Sequence, residues 1–137
     1  MKIRIKGLDH IVLRVRNLDV MTRFYCDVLG CRVERELSPE VGLLQLRAGN
    51  ALIDLVPVDS ELGRAGGAPP GREGLNLDHF CVQLDTFDEA AIRNHLQQLD
   101  VACGETENRY GAEGFGPSIY LQDPEGNRVE LKGPPEK

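Results

Sequence analysis

The chain has 137 residues, 41% hydrophobic and 28% charged, which is one ordinary globular domain's worth of sequence and needs no disulfide or metal merely to fold. With 16 Lys and Arg against 22 Asp and Glu the net charge is −6, and no basic stripe runs along the chain, so nucleic acid is not an expected partner. No apolar run approaches the roughly 20 residues of a membrane helix, and MKIRIKGLDH turns polar too early for a signal peptide, so a cytoplasmic protein is expected.

In chain order the first element is LDHIVLRV (8–15), whose alternation predicts a strand with His10, Val12 and Arg14 on one face and Ile11, Leu13 and Val15 on the other. DVMTRFYCDVLG follows, with Val20, Phe24, Val28 and Leu29 at helical spacing, an acid at its start and Gly30 to stop it. Three strand-like runs come next: CRVEREL, VGLLQLRA and ALIDLVPV. Residues 59–75 are rich in Gly and Pro and read as a linker or mobile flap. At position 77 the first element returns as LDHFCVQL, 69 residues after position 8. Here His79, Cys81 and Gln83 share a face. Asp88 opens a second helix, DEAAIRNHLQQL, on which His95 is expected to face solvent. Strand-like VACGETE, a glycine-rich loop over 104–117, PSIYLQD, the turn DPEGN and NRVELKG complete the second half.

Each half thus reads strand, helix, strand, strand, strand, giving an α+β class of two modules, 6–58 and 76–133, within one domain spanning 6–133. Cys26, Cys31, Cys81 and Cys103 contain no CxxC pair and are expected to be reduced, half-buried small hydrophobes.

The repeat carries the chemistry. Each half offers a histidine on its first strand, His10 or His79, and one carboxylate in an otherwise apolar last strand, Asp54 or Glu130. Two imidazoles and two carboxylates are a ready donor set for zinc, nickel, cobalt, manganese or ferrous iron, and not for calcium. The bland alternative is a half-exposed sheet on which the same residues are salt-bridge partners. Asp9 and Asp78 are expected to face away and bond local backbone.

On LDHIVLRV, FYCDVLGCRV, LDHFCVQL and SIYLQDPEGNRVELKG, the sequence resembles the vicinal oxygen chelate superfamily, which includes glyoxalase I, extradiol dioxygenases, fosfomycin-resistance thiol transferases and bleomycin-resistance proteins. The resemblance implies paired βαβββ modules whose mixed sheets form a cupped half-barrel around a divalent metal. It puts ligands at His10, His79 and Glu130, and places Asp54 where glyoxalase I has a glutamate. It also implies a small substrate chelated through two neighbouring oxygens, with a homodimer as the usual assembly. The first-ranked activity is a glyoxalase I-like lyase or isomerase in which Glu130 and Asp54 are the catalytic carboxylates, acting on a glutathione hemithioacetal or similar compound. A ring-cleaving extradiol dioxygenase on ferrous iron ranks second, and a non-catalytic drug-binding protein last. Arg14, Gln83, Arg109 and Tyr110 are the candidate substrate-binding residues.

Overall fold

A computed structural model describes residues 1–135, and the chain divides into two units, Met1–Glu73 and Gly74–Lys137. The first unit runs β1 (His10–Val15), α1 (Leu18–Arg23), β2 (Arg32–Glu36), β3 (Leu44–Ala48), β4 (Ala51–Pro57) and α2 (Glu61–Ala65). The second runs β5 (Phe80–Gln83), α3 (Glu89–Gln98), β6 (Glu107–Gly111), β7 (Gly114–Gln122) and β8 (Arg128–Lys132). The sheets have the orders β1-β4-β3-β2 and β5-β8-β7-β6, so the repeat seen in the sequence is a repeat of topology. In each, the first strand lies parallel to the last, β1 on β4 and β5 on β8, while the other pairs are antiparallel. A helix after the first strand makes the parallel crossover possible. The fold is α+β with two four-stranded mixed sheets, as the pattern of elements predicts.

Within β1 the alternation holds: Leu13 and Val15 are fully buried while His10 and Val12 are exposed. They join Met21, Tyr25, Leu46 and Leu55 in the core of the first unit; Leu96, Ile119, Val129 and Leu131 make that of the second. Asn17 caps α1, its side chain accepting from the Val20 amide at 3.1 Å; the expected acid, Asp19, lies inside the first turn. The helix continues as a π-helical turn, Phe24–Val28, and ends before Gly30, whose φ of 72° favours a residue without Cβ. Asp88 caps α3 as expected, accepting from the Ala91 amide at 3.1 Å. His95 is exposed on that helix.

Two stretches differ from the sequence-based expectation. The Gly/Pro-rich 59–75 segment contains α2, capped by Ser60, whose hydroxyl accepts from the Gly63 amide. The glycine-rich 104–117 loop is largely a β-hairpin, with β6 paired to β7, while VACGETE contributes only the bridge Cys103 to Leu121 and the start of β6. The glycines serve close approach: a Cβ on Gly111 would come within 2.9 Å of Lys132 Cε, and one on Gly116 within 3.0 Å of its Nζ. The four cysteines are free. Among the described residues no helix is long and apolar enough to cross a membrane.

Candidate functional site

The parallel pairings decide which side chains share a face. In the first unit Val12 pairs with Asp54 and Asp54 with Gln45, so His10, Asp54 and Gln45 occupy one face of β1, β4 and β3. In the second, Cys81 pairs with Glu130 and Glu130 with Tyr120, and His79, just before β5, brings its Nε2 to 3.5 Å from Glu130. Each unit therefore sets one imidazole near one carboxylate: His79 touches Glu130, and His10 is near enough to Asp54 to feel its charge.

Both carboxylates are buried, Asp54 at 4% exposure and Glu130 at 6%. Burying an ionised carboxylate costs heavily unless donors or a cation meet it. The Gln45 amide donates to both Asp54 oxygens at 3.3 Å, and Asp54's charge helps raise the pKa of His10. Glu130 Oε1 lies 3.5 Å from His79 Nε2. The Tyr120 hydroxyl sits 3.3 Å from the same nitrogen and also bonds Glu130; burial, with help from that carboxylate, pushes the phenol's pKa up, so it stays protonated at neutral pH.

Asp9 and Asp78 do not turn away to bond backbone with their carboxylates, as alternation suggests. Each reaches forward to the histidine that follows it: Asp9 Oδ1 to His10 Nδ1 at 2.8 Å, and Asp78 Oδ2 to His79 Nδ1 at 2.5 Å. The hydrogen bond that His10 donates to Asp9 is the largest cause raising the His10 pKa, and the one His79 donates to Asp78, followed by the charge of Arg128, holds the Asp78 carboxyl below its ordinary range. A carboxylate on Nδ1 fixes the ring's orientation and tautomer and presents Nε2 as the donor atom, the arrangement that supports metal-bound histidines. The signal was in the sequence: the Leu-Asp-His triplet occurs twice.

The proposed substrate-binding residues fall in different settings. Arg109 shares the Glu130 face: its guanidinium donates to the Ser118 backbone and hydroxyl, pairs with Glu107 at 3.0 Å and lies 4.7 Å over the Tyr120 ring. Arg128 flanks that ring at 5.9 Å. Gln83 donates to Glu113 at 3.1 Å at the hairpin tip. Arg14 donates to the carbonyls of Gly63, Gly67 and Ala68, which ties the segment after α2 to β1. Tyr110 is 74% exposed on the opposite face of β6 from Arg109, stacked edge-on against Phe115. Tyr120 and Gln45 escaped the sequence reading, because only strand pairing shows that they stand beside Glu130 and Asp54.

Imidazole nitrogen with carboxylate oxygen is a donor chemistry that suits a borderline divalent ion. Among the described residues no three His, Cys, Asp or Glu side chains gather closely enough to hold a metal ion, so each unit by itself offers a pair of donors.

Residues 7–131 match the profile of the Glyoxalase/Bleomycin resistance protein/Dioxygenase superfamily. Over 131 residues the chain is 29% identical to the mitochondrial methylmalonyl-CoA epimerase of Mus musculus, an alignment covering 91% of this chain and 71% of that one. It is 32% identical over 128 residues to biphenyl-2,3-diol 1,2-dioxygenase 3 of Rhodococcus globerulus, covering 91% of this chain but only 62% of that enzyme. Among solved structures, the crystal structure of virulence protein STM3117 from Salmonella typhimurium aligns with a TM-score of 0.77 at 26% identity, covering 97% of this chain and 100% of that one.

Proposed function

The chain belongs to the Glyoxalase/Bleomycin resistance protein/Dioxygenase superfamily, which includes metal-dependent enzymes, and within it we propose a glyoxalase I-like lyase or isomerase that moves a proton at the carbon beside a carbonyl. The observation that carries this is the doubled half-site: an Asp-oriented histidine near a buried carboxylate, once in each unit. His10, His79, Glu130 and Asp54 are the proposed ligands of a divalent ion: zinc, nickel, cobalt, manganese or ferrous iron. Such an ion, when bound, would supply positive charge to two neighbouring oxygens of the substrate and steady the enediolate or enolate that proton removal creates.

The chain's own residues do the rest. Glu130 takes the proton from carbon and returns it; its burial keeps water from competing. Tyr120 orients Glu130 and His79 through its hydroxyl, and Arg109 and Arg128 place positive charge beside an anionic substrate. The similarity to methylmalonyl-CoA epimerase supports proton transfer next to a thioester carbonyl as one form of this chemistry; a glutathione hemithioacetal is the other substrate class. The reading includes a small-molecule substrate, a cytoplasmic setting and a homodimer.

One observation favours the second reading, an extradiol ring-cleaving dioxygenase. Gln45 engages both oxygens of Asp54, which would leave His10, His79 and Glu130 as a two-histidine, one-carboxylate set for ferrous iron. The similarity to biphenyl-2,3-diol 1,2-dioxygenase 3 points the same way. Metal analysis of untagged protein, followed by assays on the methylglyoxal–glutathione hemithioacetal, on deuterium uptake by methylmalonyl-CoA and on catechols, separates the two. Proton exchange with no ring cleavage supports the isomerase. Iron loading with catechol cleavage retained in Asp54→Asn overturns it.

A further inference from the structure

A polar row crosses the first sheet at its half-site. Asp54 on β4 is opposed by Gln45 on β3, and Gln45 by Arg35 on β2. Opposed residues share a face, so the three side chains stand in line. The Arg35 guanidinium donates to Gln45 Oε1 at 3.2 Å, and Gln45 Nε2 donates to both Asp54 oxygens at 3.3 Å. A guanidinium only donates and an ionised carboxylate only accepts, so the amide between them has one satisfied orientation. At the two ends of the row, Asp54 is buried and Arg35 is exposed on the edge strand.

Arg35 holds its place because β2 is irregular. Val33 opposes Leu46, and in a regular ladder the next residue, Glu34, would oppose Gln45. The register instead shifts between Val33 and Arg35, so Arg35 opposes Gln45 while Glu34 pairs with Arg47. Bulges re-aim side chains in this way. A carboxylate opposite Gln45 would accept from its NH2 group and compete with Asp54 for it. The guanidinium instead engages the carbonyl end and leaves the NH2 group to Asp54.

We propose that Arg35 is a positioning residue: through the Gln45 amide it fixes the orientation of the Asp54 carboxylate, and the irregularity in β2 puts it there. A ligand already held in one pose gives up less freedom when it binds an ion. That effect on metal binding rests on Asp54 being a ligand, as proposed above; the fixed amide does not.

Two readouts test the row. In the metal-free protein, the Gln45 side-chain NH2 protons, followed by nitrogen NMR on labelled protein, should exchange with solvent about tenfold faster in Arg35→Glu than in the parent. Arg35→Lys, which keeps a donor, should stay close to the parent. In competition against a chromophoric chelator, Arg35→Glu should weaken zinc binding about tenfold, the low end of what an outer partner is worth. Charge alone predicts the opposite sign, because an anion in place of a cation attracts a divalent ion. In a Gln45→Leu background the same change should no longer weaken binding, since the amide that transmits it is gone. Amide exchange unchanged in Arg35→Glu, zinc binding unchanged or tightened by it, or equal weakening with and without Gln45 would each overturn the proposal. A parent chain that binds no zinc would sink the metal reading, and the amide exchange would still decide the role of Arg35.

Discussion

Asn at position 9 or 78 is the most informative perturbation of the half-sites. Each aspartate hydrogen-bonds the Nδ1 of its histidine, at 2.8 Å and 2.5 Å, and Asp78 also accepts from Arg128 at 2.9 Å. Loss of such an outer carboxylate typically costs 10- to 100-fold in metal affinity. Two facts place the change at the lower end. The side chains of Asp9 and Asp78 are 88% and 77% exposed, so water replaces part of what is lost, and asparagine keeps an oxygen that still accepts from Nδ1. Asp9→Asn and Asp78→Asn should therefore each weaken zinc binding about tenfold, and the double variant about a hundredfold, because each acts on its own histidine. Competition against a chromophoric chelator measures this, with the exposed Asp19→Asn as control. Variants that bind zinc as tightly as the control would refute the orienting role and, with it, the doubled half-site.

Tyr120→Phe removes the hydroxyl that meets His79 and Glu130; turnover should fall about ten- to a hundredfold, the worth of one hydrogen bond to a charged group, with circular dichroism unchanged. Glu130→Gln should lower turnover by about 10²–10⁴ while keeping the side chain's shape, and steady-state kinetics on the exchange assay reads it. Leu13→Ala, at a fully buried site in β1, should cost about 3–5 kcal/mol in urea denaturation. The Thr106 hydroxyl, and after it Arg93, hold the Glu89 carboxyl below its ordinary 4.5, so that stability is present above 4.5 and lost as pH falls through the lowered value. The urea midpoint of Thr106→Val should accordingly lie below that of the parent at pH 7, with the difference gone in strong acid.

The repeat was legible before any coordinates because strand periodicity is a local property. LDHIVLRV and LDHFCVQL show the same alternation, and a residue's face within a strand follows from counting by twos. His10 with Asp54 and His79 with Glu130 could thus be picked out as equivalent pairs, and the α+β class followed from the order of elements. Counting by twos did not place the aspartates that lie outside the strands. Asp9 and Asp78 precede their strands, where backbone direction no longer dictates side-chain direction, and both swing onto the neighbouring imidazole.

Composition misled at the glycines, because a Gly-rich run looks like a loop until its neighbour is known. Gly111 and Gly116 sit in paired strands so that the Lys132 side chain can lie against them, and Lys132 is distant in sequence. Arg14 shares its face with His10, as alternation predicts, but its guanidinium is held by the carbonyls of 63, 67 and 68, which come near only once the chain has folded back beyond α2. Gln45 and Tyr120 likewise gain their roles from register, which sets Gln45 opposite Asp54 and Tyr120 opposite Glu130. Which residues alternate was written in the sequence; which of them meet depended on long-range pairing, because hydrogen-bond register joins positions that no local pattern connects.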